Sequence, residues 1–197
     1  MGHDLNFAAL IGSRICHDLI SPIGAINNGI ELIEMSAPSI DPEMALISES
    51  VVNASARIRF FRIAFGAAGE QLIGRPEVLS ILQDTYAAGR LNVACGPLEP
   101  QERRLVRLAF LALMCVETTM PYGGRLEITQ HEGQLAVTGV ADKFKLDPVL
   151  WGMLSGTPSN DELRPAHVQF GLLPLIAADE ERPLHLSTDE QQVTIRV

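Results

Sequence analysis

Apolar residues recur at helical spacing through residues 5–35. On a wheel turning about 100° per residue, Ala8, Ile11, Ile15, Leu19, Ile23, Ile26, Ile30 and Ile33 gather on one side and form a core stripe. His17 falls roughly opposite the centre of that stripe, beside the small or short residues Ser13, Ser21, Gly24 and Asn28. A second helical run begins after Ser36-Ala37-Pro38-Ser39-Ile40-Asp41-Pro42. There Asp41 suits an N-cap, Pro42 the first helical position, where its missing N–H costs nothing, and Glu43 the positive helix end. This run continues through Arg57, Arg59 and Arg62 and is released at glycines 66 and 69. Residues 1–72 therefore read as a helical hairpin.

The pattern changes after Gly74-Arg75-Pro76. A helix over 76–88 precedes a short apolar segment at 91–94, and a long buried helix runs from about 100 to 119 until Pro121-Tyr122-Gly123-Gly124 breaks it. Segments 125–129 and 134–140 alternate as a hairpin turning at His131-Glu132-Gly133. A helix over 166–178 and a last hairpin, 183–187 with 192–197, complete the chain. Residues 73–197 thus form a second domain, helices on a mainly antiparallel sheet, and the whole is α+β. Trp151 reads as a core anchor of this domain.

Composition narrows the function. With 47% hydrophobic residues in 197, the chain can bury real cores, and the longest apolar run, near 105–116, is too short to span a bilayer and is interrupted by Arg107. The first residues lack the basic and apolar regions of a signal peptide. Cys16, Cys95 and Cys115 fit neither a metal site nor a disulfide framework, so a reducing cytoplasm is expected. A net charge of -9 without a basic patch argues against nucleic acid and anionic membrane as partners. Proteins or small molecules remain, and the five histidines show no metal-ligand spacing.

Chemistry concentrates at His17-Asp18-Leu19-Ile20-Ser21-Pro22. A neutral imidazole projecting from a shallow surface can attack a phosphoryl group held as an aspartyl phosphate, a reaction that needs mainly in-line approach and charge compensation. Asp18 can orient the ring or take its proton, and Ser21, one turn on, can hydrogen-bond the imidazole or a phosphoryl oxygen. Pro22 removes a backbone donor and is expected to bend the helix just after the reactive position. Ser13, Arg14, Ile20, Gly24 and Asn28 surround the histidine and are the expected contacts of an incoming protein.

The hexapeptide resembles the H-box of sensor histidine kinases. The longer stretch 15–33, with Ala25-Ile26-Asn27-Asn28-Gly29 after the proline, and Arg57-Ile58-Arg59-Phe60-Phe61-Arg62-Ile63-Ala64-Phe65-Gly66 on the second helix are closer to the ChpT family of dimeric histidine phosphotransferases. In a kinase the second domain would carry an Asn-rich helix, an Asp-x-Gly-x-Gly loop and a glycine-rich lid. Here the corresponding helix has no asparagine over 110–119, Asp142 stands in Ala141-Asp142-Lys143-Phe144-Lys145 without paired glycines, and Gln169-Phe170-Gly171-Leu172 keeps one glycine. The resemblance therefore implies a degenerate ATPase-like lobe that binds no ATP and has no cofactor of its own, with Mg²⁺ supplied by the partner. It also implies a relay in which His17 accepts phosphate from the receiver domain of a hybrid kinase (CckA-like) and passes it to response regulators (CtrA-like, CpdR-like) that govern the cell cycle or related programmes. Arg57, Arg59 and Arg62 would either dock the acidic pocket of such a receiver or stay solvated. An ATP-dependent histidine kinase with a divergent lobe, and a noncatalytic dimeric binding module on the same fold, are the alternatives.

One amphipathic hairpin cannot bury both its faces. The stripe on the first helix and Met44, Ile47, Val51, Val52, Ile58 and Phe61 on the second call for four helices around one core, so a homodimeric bundle is expected. The alternative is that the second domain covers the hairpin within a monomer.

Overall fold

The structure is a computed structural model and describes residues 6–35, 41–67, 69, 71–87, 89–96, 99–131, 133–157 and 163–197. Two long helices, α1 (Phe7–Met35) and α2 (Asp41–Ala64), form the hairpin. The linker 36–40 and the side chain of Asp41, expected to cap α2, lie outside the described residues. α1 runs unbroken through Pro22. A proline there has no N–H for the carbonyl four residues back, which is that of Asp18.

After the hairpin come β1 (Leu72–Ile73), α3 (Arg75–Tyr86), β2 (Leu91–Cys95), β3 (Gln101–Glu102) and α4 (Arg103–Thr118). They are followed by β4 (Gly124–His131), β5 (Gln134–Val140), α5 (Pro148–Leu154), a 3-10 turn at Pro165–His167, α6 (Val168–Asp179), β6 (His185–Thr188) and β7 (Gln192–Arg196). Five strands lie in the order β2-β4-β5-β7-β6. Only the β2–β4 pair is parallel, because α4 carries the chain across the sheet between those two strands. β1 and β3 make a separate two-residue antiparallel ladder beside the N-terminus of α4.

α4 is the centre of the core. Its residues from Leu105 to Val116 are buried apart from Arg107, as expected of a helix apolar on every side. One face meets the sheet, where Gly139 of β5 lets it approach closely: a Cβ at that position would stand 2.6 Å from Val116 Cγ1 and 2.7 Å from Met120 Sδ. The other side receives the end of the hairpin. Phe60 of α2 stacks on Phe110 with ring centroids 4.7 Å apart, and Phe61, Ile63 and Ala64 are buried with it.

The first helix is shared between two environments. Phe7, Leu10, Ile11 and Ile15 pack against the core that the end of α2 shares with the elements after it. Beyond His17 the stripe is only partly covered: Leu19, Ile26 and Ile33 are half-buried while Ile23 and Ile30 are nearly half exposed, and Ile20, off the stripe, is more exposed still. The stripe was expected to be buried in a four-helix core of two chains; within the single chain it is covered only in part, and Ala8 is exposed. On α2 the same division holds, Phe61 being buried while Met44, Val51, Val52 and Ile58 are exposed. Trp151 is half-buried and meets Phe170 edge to face.

Candidate functional site

His17 stands where α1 leaves the second domain. Its side chain is 83% exposed, as the wheel predicted, and its Nδ1 lies 3.0 Å from Asp18 Oδ1. A ring carrying its proton on Nδ1 would donate to that carboxylate and keep its lone pair on Nε2. Asp18 is itself held on its other oxygen. Arg14 Nε donates to Oδ2 at 2.8 Å, one helical turn earlier, and Arg57 Nη1 approaches from α2 to 3.8 Å. Only a tenth of the Asp18 side chain reaches solvent, so these charge-assisted contacts act in a partly desolvated place. Arg57 is steadied by Asn53, whose Oδ1 accepts from its Nε at 3.0 Å.

Beside the histidine, α1 and α2 enclose an open groove of about 410 Å³ lined by His17, Asp18, Ser21, Pro22, Glu49 and Arg57, among others. Ser21 shares this groove, while the imidazole's hydrogen bond goes to Asp18. Of the expected contact residues, Ser13, Ile20 and Asn28 are exposed and Gly24 is half-buried. Arg14 is different: its side chain is one-fifth exposed and engaged, with Nη1 donating to the Ala166 carbonyl at 2.6 Å besides the bond to Asp18. Cys16, next to the histidine, is exposed, whereas Cys95 and Cys115 are buried and burial pushes both thiols up.

A second cleft of about 500 Å³ continues from the first past Asp18, Asn53 and Arg57, between the hairpin and the second domain. Its wall carries a pair that the sequence did not reveal. Tyr86 of α3 donates its hydroxyl to Glu117 Oε2 of α4 at 2.7 Å. Burial, seconded by the charge of Glu117 and the bond to it, holds the Tyr86 phenol well above its usual range. Burial also raises the Glu117 carboxyl, against the opposing pull of Tyr86, Arg14 and Arg57. His167, on the same cleft, is pushed down by burial.

The local part of this site was readable. Arg14 with Asp18 and Asn53 with Arg57 are i, i+4 pairs on predicted helices, the spacing at which side chains meet. Arg57, Arg59 and Arg62 part company: Arg57 turns to Asp18, Arg59 pairs with Asp84 of α3, and Arg62 is exposed. Tyr86 and Glu117 lie 31 positions apart, and no periodic signal joins them. Among the described residues no group of three or more His, Cys, Asp or Glu is placed to hold a metal ion, and no helix is long and apolar enough to cross a membrane.

A mixed α+β chain with a long N-terminal hairpin, an exposed histidine braced by an acid, and a second domain built on α4 and a five-stranded sheet defines a class that known proteins share. The family model described as the histidine phosphotransferase C-terminal domain matches residues 75–192, more than half of the chain. The chain belongs to that family. A stretch of 65 residues is 63% identical to protein phosphotransferase ChpT of Brucella abortus (strain 2308), covering 33% of this chain and 31% of that protein. The alignment thus spans about a third of the length of that relative. A solved structure titled as a bacterial phosphotransferase at 1.7 Å superposes over 100% of this chain and 97% of its own, with a TM-score of 0.83 and 29% identity.

Proposed function

We propose that the chain is a histidine phosphotransfer protein, in which His17 takes a phosphoryl group from an aspartyl phosphate on one receiver domain and gives it to an aspartate on another. The observation that carries this reading is the placing of the imidazole: Nδ1 lies 3.0 Å from Asp18 Oδ1, on an 83% exposed side chain that lines a groove, so that a ring protonated at Nδ1 would keep Nε2 for attack. Nε2 attacks phosphorus in line; the N–P bond forms as the P–O bond to the receiver's aspartate breaks, and that carboxylate leaves with the electron pair. The ring becomes cationic as it reacts, and the Nδ1 proton stays shared with Asp18, whose charge offsets the new positive charge. Transfer onward is the same step reversed on a second receiver. The divalent ion belongs to the receiver's acidic pocket, and no nucleotide takes part.

In the finer reading the donor is the receiver of a CckA-like hybrid kinase and the acceptors are CtrA-like and CpdR-like regulators, in the cytoplasm. The working unit is a homodimer joined through the uncovered apolar face of the hairpin, where Ile20, Ile23, Ile30, Val51, Val52 and Ile58 are exposed. Receivers phosphorylated beforehand should label the wild-type protein within seconds to minutes and should leave His17→Ala unlabelled. Labelling of the alanine variant, or labelling of wild type by ATP and Mg²⁺ alone, overturns the proposal, the first toward a binding module and the second toward a kinase.

A further inference from the structure

The second domain holds α1 at several points, and one of them reaches the histidine. Phe7 seats against α6 at Gly171, where a Cβ would stand 2.9 Å from Phe7 Cε1 and 3.0 Å from Leu163 Cδ2; glycine leaves the space that the ring occupies. Two turns further on, the guanidinium of Arg14 divides its donors. Nη1 binds the backbone carbonyl of Ala166, the middle residue of the 3-10 turn, at 2.6 Å, while Nε binds Asp18 Oδ2 at 2.8 Å. The other oxygen of that carboxylate holds His17 Nδ1 at 3.0 Å. A single rigid, planar cation therefore joins a backbone carbonyl of the second domain to the acid that holds the imidazole.

We propose that Arg14 is a positioning residue through which the docking of the second domain on α1 fixes the carboxylate of Asp18, and with it the ring orientation and the free nitrogen of His17. The inference rests on the phosphotransfer reading of His17 and gives the second domain a part in transfer without touching the phosphoryl group. Arg57 cannot substitute for Arg14. It stands 3.8 Å from the same oxygen, and its Nε is committed to Asn53, so it supplies charge rather than direction. Lysine cannot substitute either, because a point charge lacks the fork that spans the Asp18 and Ala166 acceptors at once. Without the tie, Asp18 regains its rotamer freedom and the exposed imidazole loses the partner that selects its tautomer.

The test needs no receiver. The ring ¹⁵N shifts of His17 report the tautomer directly, and phosphoramidate, a small phosphodonor, reads the reactivity of Nε2 without a docking surface. Arg14→Gln should move the ring shifts from the Nδ1–H form toward a tautomeric mixture and slow phosphorylation at His17 about tenfold. Arg14→Lys should not rescue it. Phe7→Ala, which loosens the same docking from a distance, should shift the ring in the same direction, and the double variant should be no worse than Arg14→Gln alone. Ring shifts in folded Arg14→Gln identical to wild type, or full activity in Arg14→Lys, overturn the inference. Failure of the underlying reading looks different: wild type would form no phosphohistidine at position 17, while the ring shifts still report on Arg14.

Discussion

Glu117 faces two arginines across the interdomain cleft, yet burial governs its proton. Its raised carboxyl means that the folded chain binds a proton more tightly than the unfolded one does, so this group's contribution to stability is complete below the ordinary glutamate range. It is lost as pH rises through the folded value. Tyr86 on α3, Arg14 and Asp18 on α1 and Arg57 on α2 are the charged and titratable groups that act on it. Glu117→Gln keeps an acceptor for the Tyr86 hydroxyl and removes the ionisation. The variant should therefore melt higher than wild type at pH 8, with a gap that closes toward pH 4; about 2–4 °C is expected for each kcal/mol removed in a chain of this size. A gap that widens toward acid would reverse the assignment. At this scale the sequence was most informative where partners are one turn apart. His17, Asp18 and Arg14 could be placed on one helix from spacing alone, whereas the Tyr86–Glu117 bond depends on how α3 and α4 meet.

Elements were legible in proportion to their length. The two hairpin helices, α4 and the β4–β5 hairpin have periods long enough to stand out. β1 and β3, at two residues each, have no period at all, and they exist because Ile73 and Gln101 are brought side by side by the packing around α4. α5, seven residues long, was not foreseen. Asp147 accepts from the backbone N–H of Val149 at 2.9 Å and Leu150 at 3.3 Å, with Pro148 at the first helical position, the same Asp-Pro grammar that marks the start of α2. The close contact of α4 with the sheet was not visible in any pattern, since a glycine in a strand can mean a bulge or a near approach. Here it is the approach. Gly139→Val should cost about 1–3 kcal/mol by forcing Val116 and Met120 aside, read as a lowered midpoint in urea with an unchanged slope. A variant as stable as wild type would mean that α4 can shift outward freely.

Across the whole molecule, the apolar stripe of α1 is unevenly covered. Its amphipathic period was plain, but a helical wheel says only that a face is covered, not by what. Ile11 and Ile15, with Phe7 and Leu10 beside them, pack on the core; Leu19, Ile26 and Ile33 are half-buried, and the exposed Ile23 and Ile30 are left to the proposed second copy. Ile23→Glu places a charge in that proposed interface on both protomers and should weaken self-association at least a hundredfold, roughly 3 kcal/mol, with the second domain still folded. Sedimentation at several concentrations would show it, and a wild type that stays monomeric at the highest concentration removes the bundle from consideration. An unbroken α1 then has one further consequence. In the proposed homodimer a rod of about 43 Å, at 1.5 Å per residue, would be stabilised at one end by an intramolecular core and at the other by bimolecular association. Dilution should loosen the backbone amides beyond His17 and leave those near Phe7 untouched, so that a single helix obeys two laws of mass action with the histidine at the boundary between them.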